Sequence, residues 1–147
     1  MFIKTRKKAN VSEFIPKNPG KYVGRYPILV RSSWERMFAQ WLDLTESIVK
    51  WSSESIQILY FDPVLQKRRR YYPDFFFATK DGNKYITEIK PKKDIVFSKK
   101  GKVDAVKKFM REKVCITNQA KFKAAEDYCR KAGFKFKILT ETELFNK

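Results

Sequence analysis

Three polar residues with a capacity for chemistry interrupt an apolar stretch of this sequence. The segment "YYPDFFFATKDGNKYITEIKPKK" spans residues 71–93 and carries Asp74, Glu88 and Lys90. Two carboxylates that lie close together repel each other, and a divalent cation relieves that repulsion. A bound cation of this kind acidifies water and neutralises charge on a phosphate, while a neighbouring lysine stabilises the transition state. The three residues therefore indicate metal-dependent phosphodiester hydrolysis.

Mg²⁺ is the cation that this set of ligands suits best, because it prefers oxygen ligands and retains several waters. We expect Asp74, Glu88 and the backbone carbonyl of Ile89 to bind it, with Mn²⁺ as a substitute. Taken alone, the spacing is a weak signal, and an exposed aspartate at a bend with a surface Glu–Lys pair is the simpler alternative. The predicted hairpin, the preceding helix and the basic charge of the chain favour the catalytic interpretation.

The hairpin register decides whether the three side chains can meet. Glu88 and Lys90 are two residues apart on a predicted strand, so they share one face. A two-residue turn at "DG" would place Asp74 opposite Ile89, on the wrong face. A three-residue loop over residues 81–83, whose asparagine tolerates a left-handed conformation, or one bulge, would place Asp74 opposite Lys90.

The charge of the chain points to a polyanionic partner. The 147 residues include 33 Lys and Arg against 16 Asp and Glu, a formal net charge of +17. Nucleic acid is the first candidate, since no long apolar run or basic amphipathic helix favours a membrane. The chain contains no histidine, which excludes histidine-based nuclease and hydrolase chemistry. Cys115 and Cys129 lack metal-ligand spacing and are expected to be reduced thiols.

Basic clusters flank the candidate site and predict a groove that follows the DNA backbone. Lys67–Arg70 and Lys90–Lys93 are the flanking clusters, and a third basic cluster is Lys4–Lys8. The alternatives are a solvated surface for the lysines, packing for the tyrosines and a helix-capping role for Asn118. We expect contacts with double-stranded DNA from Lys67, Arg68, Arg69, Arg70, Tyr72, Lys92, Lys93, Asn118 and Lys121.

A helix is predicted to begin at Ser32 and to carry a fourth candidate residue. Ser32 and Glu35 fit a capping box, and the helix should run to about Leu44. Glu35 has two open interpretations: a capping glutamate, or a catalytic carboxylate facing the other three residues. The predicted core-facing stripe of this helix consists of Trp34, Met37, Phe38, Trp41 and Leu42.

The remaining pattern predicts an α/β domain with one mixed sheet. A strand is expected over Glu54–Phe61, followed by a hairpin over residues 67–90 and a short helix over about residues 102–112. A helix that opens at Asn118 and stops at Gly133 follows, then a strand with alternating lysines. Residues 1–29 read as a basic N-terminal arm packed on the domain, and residues 30–147 as the domain itself.

The residues also resemble a known family. Glu35 on a helix, then Pro73–Asp74, then Glu88–Lys90, resemble the PD-(D/E)XK pattern of nucleases with the restriction-endonuclease-like fold. The segments "RSSWERMFAQWLD", "KRRRYYPDFFF", "ITEIKPKK" and "KFKAAEDYCRKAGFKFKILTETEL" resemble the head-completion nucleases of contractile-tailed phages. Those nucleases are similar to the N-terminal domain of TnsA-type transposon endonucleases.

The resemblance implies an αβββαβ core with a mixed central sheet flanked by helices. It implies Asp74 and Glu88 as metal ligands, Lys90 as the catalytic lysine and Glu35 as the helix carboxylate, itself an additional candidate ligand. The implied function is a Mg²⁺-dependent DNA endonuclease that acts in phage head completion after packaging. The alternative is a non-catalytic DNA-binding protein of the capsid or portal vertex.

The resemblance also carries expectations about partners and location. Portal or neck proteins of a phage head are the candidate protein partners, and a dimer is one arrangement for double-strand cleavage. The expected location is the cytoplasm of the infected bacterial host, with association with the virion as an alternative.

Overall fold

The computed structural model of the chain describes residues 11–96 and 104–145. The predicted basic cluster Lys4–Lys8 and the beginning of the helix predicted over residues 102–112 lie outside the described residues. In chain order the elements are β1 (Ser12–Phe14), β2 (Ile28–Val30), α1 (Ser33–Leu44), β3 (Ile48–Ser53), β4 (Ile58–Asp62), β5 (Lys67–Tyr71), β6 (Phe75–Thr79), β7 (Lys84–Ile89), α2 (Ala105–Ala132), β8 (Lys135–Leu139) and α3 (Glu141–Phe145).

The central sheet has the strand order β3-β6-β7-β8. The β3–β6 and β6–β7 pairs are antiparallel, whereas β7 and β8 are parallel. Helix α1 precedes the sheet and α2 forms the crossover between β7 and β8, as parallel neighbours require. The elements of the central unit thus follow the order αβββαβ, and the predicted α/β class with a mixed sheet flanked by helices is confirmed.

Helix α1 begins and ends where the sequence predicts, but its buried face is displaced. Phe38 and Leu42 are buried as expected, while Met37 and Trp41 are exposed and were wrongly placed in the core. Asp43 is buried instead, because its carboxylate accepts hydrogen bonds from the backbone N–H groups of residues 17 and 18. This contact joins the C-terminal end of the helix to the N-terminal segment.

The strand boundaries correct the sequence prediction at two places. The sequence prediction missed β3, an edge strand of the central sheet, and the strand predicted over Glu54–Phe61 became β4 of a separate two-stranded ribbon with β5. The continuous strand predicted through Pro73 is broken into β5 and β6. Proline lacks a backbone N–H and is poorly tolerated inside a sheet, so the chain bends there and changes sheet.

Helix α2 is one continuous helix of 28 residues. The prediction of a helix that opens at Asn118 is wrong, because Asp104 caps the helix by accepting a hydrogen bond from the backbone N–H of Lys107. The first turns expose Val106 and similar apolar side chains, so they carry no clear amphipathic period. Gly133, with a φ of 79°, ends the helix as predicted.

Two apolar clusters fix the layers of the domain. One joins α1, the sheet and the N-terminal segment, and includes Phe14, Leu42, Trp51 and Phe75. The other joins the β4–β5 ribbon to α2 and is built around Tyr60, Tyr71 and Ala125. Across residues 11–96 and 104–145, none of the helices combines the length and the hydropathy that crossing a membrane requires.

Candidate active site

The β6–β7 hairpin sets the register that the candidate site depends on. Phe75 pairs with Thr87, and the pairing continues to Ala78 opposite Lys84. Extending the ladder outward by one residue places Asp74 opposite Glu88. The loop has an odd number of residues, as the prediction of converging side chains requires.

The position of the loop differs by one residue from the prediction. The backbone N–H of Thr79 donates to the carbonyl of Asn83 at 2.9 Å, so the loop covers residues 80–82. Gly82, with a φ of 90°, takes the left-handed conformation that was expected of Asn83. Glycine adopts this conformation without a steric penalty, so the turn forms around it. As a result Asp74 lies opposite Glu88 and not opposite Lys90.

Asp74 is fixed by backbone contacts at the bend before β6. Its Oδ2 accepts a hydrogen bond of 2.8 Å from the backbone N–H of Ile89, at the end of β7. Its backbone carbonyl accepts one of 3.0 Å from the N–H of Glu54, beyond the end of β3. Three strand ends of the central sheet therefore hold this aspartate in place.

Glu88 is buried, with 4% of its surface exposed, and is held by two donors. Its Oε1 accepts hydrogen bonds from the hydroxyl of Tyr71 at 2.8 Å and from the backbone N–H of Asp74 at 3.2 Å. Its Oε2 lies 3.6 Å from the ammonium nitrogen of Lys90. The two oxygens are thereby distinguished: Oε1 is bound inside the protein, and Oε2 faces the lysine.

The electrostatics of the two carboxylates favour the uptake of positive charge. Burial raises the pKa of Asp74 well above its ordinary value, and the charges of Glu88 and Glu35 raise it further. Burial also raises the pKa of Glu88, and this effect outweighs the lowering by Lys90 and by the Tyr71 hydroxyl. A proton or a cation would relieve the cost of two neighbouring negative charges that are largely removed from water.

Lys121 brings a second ammonium group to the same place. It projects from α2 and lies 5.6 Å from the centre of the Tyr71 ring. Burial lowers the pKa of Lys121, and the charge of Lys90 lowers it further, whereas Glu88 raises it. Two lysines thus face the glutamate, and their mutual repulsion favours an anion between them.

Glu35 approaches the other residues without joining them. Its Oε1 accepts a 2.9 Å hydrogen bond from the backbone N–H of Arg31, while its own N–H donates to Ser32 Oγ at 3.1 Å. The capping half of its predicted role is therefore present, with Arg31 in place of the expected Ser32 N–H. Burial raises the pKa of Glu35, and Glu54 and Glu88 contribute to this rise.

The fit to a metal ion rests on two carboxylates and one carbonyl. Within the described ranges, no three acidic or cysteine side chains lie close enough together to hold an ion, so Glu35 is not a third ligand in this geometry. Among the described residues no hydrogen-bond donor binds Asp74 Oδ1. The carbonyl of Ile89 lies on the same side of β7 as the N–H that Asp74 binds. These hard oxygens suit a cation that keeps several waters, as Mg²⁺ does.

The predicted DNA-binding residues divide into two groups on the β4–β5 ribbon. Arg69 lies on the side of Tyr71 and contacts Asp62 at 3.4 Å, whereas Arg68 and Arg70 point to the opposite side with Tyr72. All four residues of Lys67–Arg70 are exposed. The basic run therefore does not form one uniform surface.

The remaining predicted contacts differ in exposure. Lys92 and Lys93 are exposed in a short 3-10 turn after β7, close in sequence to Lys90. Asn118 is buried in the middle of α2, and its side-chain amide donates to the carbonyl of Asp94 at 2.9 Å. The expectations that Asn118 caps a helix or contacts a phosphate are therefore corrected: it anchors the turn that follows the site.

The sequence interpretation missed the contribution of two residues. Tyr71 was expected to pack, yet it also binds Glu88. Glu54 was assigned to a strand, yet it supports Asp74 and pairs with Arg31 at 3.0 Å. Successive residues of β5 face opposite sides, so an outward Arg70 is a signal for an inward Tyr71. No local signal could have indicated Glu54.

Two comparisons with known proteins both find similarity to nucleases. The family model described as "TnsA-like endonuclease N terminal" matches residues 45–141 of the chain. Asp74, Glu88, Lys90 and Lys121 lie inside that match. The chain is also 39% identical over 137 residues to a protein of Enterobacteria phage T4 named "Head completion nuclease". The alignment covers 90% of this chain and 91% of the phage T4 protein.

Proposed function

This chain belongs to the family of TnsA-like endonuclease N-terminal domains, and from this premise we propose that it is a Mg²⁺-dependent DNA endonuclease. The named relative further supports a place in the completion of a phage head after DNA packaging. Double-stranded DNA is the proposed substrate, which the formal net charge of +17 supports. The proposed pattern of catalytic residues is PD-(D/E)XK.

The observation that carries the proposal is the convergence of Asp74, Glu88 and Lys90 at one end of the central sheet. The half-buried Asp74 and the buried Glu88, both with raised pKa values, lie beside an ammonium group 3.6 Å from Glu88. A purely structural site would be expected to pair both carboxylates fully, since leaving them unpaired costs stability. Perturbed acids of this kind cluster at catalytic sites.

The proposed roles follow from the contacts of each side chain. Asp74, Glu88 and the Ile89 carbonyl would hold Mg²⁺, which acidifies water and offsets phosphate charge when bound. Lys90 orients the attacking water or balances negative charge at the phosphate. Lys121 faces the same space and binds a non-bridging phosphate oxygen. Glu35 contributes negative charge from the side of α1, at greater distance.

A cleavage assay tests this proposal. Supercoiled plasmid is incubated with the pure protein and Mg²⁺, in parallel with Asp74→Ala and Lys90→Ala. We expect nicking that requires Mg²⁺ or Mn²⁺ and falls by at least about a hundredfold in each variant. A chelator should stop the reaction in the wild-type protein.

Other outcomes lead to other conclusions. Equal activity in all three proteins would reveal a contaminating nuclease and contradict the proposal. DNA binding without cleavage by any of them would favour the non-catalytic protein of the capsid or portal vertex. Action in the cytoplasm of the infected host, a dimer for double-strand cleavage and a portal or neck partner remain predictions of the same proposal.

A further inference from the structure

A cavity of about 520 Å³ lies beside the proposed active site. It opens at the end of the central sheet where β3 ends and β6 begins. Its volume lies in the range typical of small-ligand sites, about 300–1,000 Å³. Its lining includes Gly24, Arg25, Glu54, Ser55, Gln57 and Tyr72.

The cavity wall is attached to the proposed catalytic aspartate. Glu54 lines the cavity, and its N–H donates to the backbone carbonyl of Asp74 at 3.0 Å. The carboxylate of Glu54 is bound by the guanidinium of Arg31 through contacts of 3.0 and 3.2 Å. Its negative charge is therefore balanced, and a phosphate bound nearby would meet little repulsion.

The chemistry of the lining suits a nucleobase. The Tyr72 side chain is 46% exposed, so its ring presents a surface at the cavity. Its hydroxyl donates to the amide oxygen of Gln57 at 2.7 Å, which leaves the amide nitrogen of Gln57 as a donor. Aromatic rings and amides of this kind are what proteins use to stack and hydrogen-bond unstacked bases.

A path of positive charge leads to the cavity. Arg68, Arg70 and Tyr72 alternate along β5 and its extension, so they lie on the same side of the ribbon. Arg25 adds a further cation at the cavity itself. A DNA backbone that follows the two arginines would bring the next base to the Tyr72 ring.

We propose that this cavity receives one unpaired nucleotide of the DNA substrate, with its base stacked on Tyr72, beside the bond that the Asp74–Glu88–Lys90 site cuts. The inference rests on the proposed function and narrows its substrate to DNA that has an unpaired nucleotide near the cut, such as a single-stranded tail, a flap or a junction. A base in an intact duplex cannot reach the cavity without leaving its stack.

Binding measurements test the inference separately from cleavage. All proteins carry Asp74→Ala, which removes the carboxylate but keeps the backbone carbonyl that Glu54 binds. Fluorescence anisotropy compares a blunt duplex with the same duplex bearing a short single-stranded tail. We expect Tyr72→Ala to weaken binding of the tailed duplex by about 5- to 100-fold and that of the blunt duplex by less than about twofold. Tyr72→Phe, which retains the ring, should restore most of the loss.

A matched control lies on the same side of the ribbon. Arg68→Ala should weaken both duplexes equally, because a phosphate contact does not distinguish paired from unpaired DNA. Equal losses for both duplexes in Tyr72→Ala, or no loss for the tailed one, would overturn the inference. Failure of the cleavage assay with intact tail selectivity would contradict the proposed function and leave the nucleotide site supported.

Discussion

Carboxylates lie at both ends of helix α1, and they differ in how their oxygens are hydrogen-bonded. At its C-terminal end, Asp43 is 2% exposed, and both its oxygens accept hydrogen bonds, from the N–H groups of Lys17 at 2.8 Å and Asn18 at 3.0 Å. Near its N-terminal end, Asp74 and Glu88 are placed together with raised pKa values. Both oxygens of Asp43 are hydrogen-bonded, whereas Asp74 and Glu88 each accept hydrogen bonds at one oxygen.

The difference shows that burial alone does not identify a functional acid. Asp43 joins the N-terminal segment to the helix, and Lys21 completes the contact by donating to the carbonyls of Leu42, Asp43 and Thr45. At the candidate site, no donor among the described residues binds Asp74 Oδ1, and Glu88 Oε2 has only the ammonium of Lys90 at 3.6 Å. Whether both carboxylate oxygens are hydrogen-bonded, more than the fraction exposed, separates this structural carboxylate from the candidate ligands.

The largest expected effect comes from the same substitution made at both places. Asp43→Asn introduces an amide donor facing a backbone N–H, so we expect the free energy of unfolding to fall by about 2–3 kcal/mol. Asp74→Asn keeps an acceptor for Ile89 N–H and removes one of two repelling charges, so stability should stay equal or rise while cleavage is lost. Urea unfolding at neutral pH, with plasmid nicking beside it, measures both.

This pair of variants can break the comparison. Loss of stability of similar size in both would mean that Asp74 is a structural carboxylate like Asp43. Loss of cleavage in Asp43→Asn at a temperature where it is fully folded would mean that the C-terminal end of α1 also takes part in activity.

A smaller effect should separate two buried tyrosines of the second cluster. Tyr71→Phe removes the 2.8 Å hydrogen bond to Glu88 and leaves Oε1 with only the longer bond from Asp74 N–H, so affinity for Mg²⁺ should fall by about 10- to 100-fold. Tyr60→Phe is the matched control, since its ring lies 6.4 Å from that of Tyr71 in the same cluster. Titration calorimetry with Mn²⁺ or Mg²⁺ measures affinity without activity, and equal losses in both variants would remove the positioning role.

Much of the fold and of the candidate site could be predicted from the sequence, because side chains recur at regular intervals along strands and helices. Alternation along β7 predicted that Glu88 and Lys90 share one face. The same alternation showed that Asp74 can join them only if the loop has an odd number of residues or a bulge interrupts the ladder. The order αβββαβ was also predicted, even though the first strand was assigned to Glu54–Phe61 instead of Ile48–Ser53. The order of elements was still correct, because β3 takes the place between α1 and the hairpin that the prediction gave to the strand over Glu54–Phe61.

What the sequence could not supply were contacts between distant segments. Asp43 was not part of the predicted core-facing stripe of α1, and its partners lie at positions 17 and 18, far away in the chain. Tyr71 and Asn118 owe their roles to a ribbon and a turn whose positions depend on tertiary packing. The exact residues of the hairpin loop depended on which residue takes the positive φ. Gly82 and its neighbour Asn83 could both have done so.

The smallest expected effect concerns Glu35, which has both a structural hydrogen bond at the start of α1 and a raised pKa near the candidate site. Burial raises the pKa of Glu35 in the folded protein, with Glu54 and Glu88 adding to the rise, so folding favours its protonated form. Its contribution to stability is therefore complete below the unfolded-state pKa of about 4.3 and is lost as the pH rises through the folded-state value. Glu35→Gln keeps an acceptor for Arg31 N–H. Its free energy of unfolding should rise relative to that of the wild-type protein as the pH rises from about 4 to neutrality.

The control for Glu35 is its capping partner, because the two variants should respond differently to pH. Ser32→Ala removes the 3.1 Å contact with Glu35 N–H and should cost about 1 kcal/mol at every pH. The gain in Glu35→Gln should be smaller than this cost and should vanish in acid, as measured by urea unfolding across the pH series. A loss of stability in Glu35→Gln at neutral pH would instead make Glu35 a capping residue, equivalent to Asp43 at the other end of the helix.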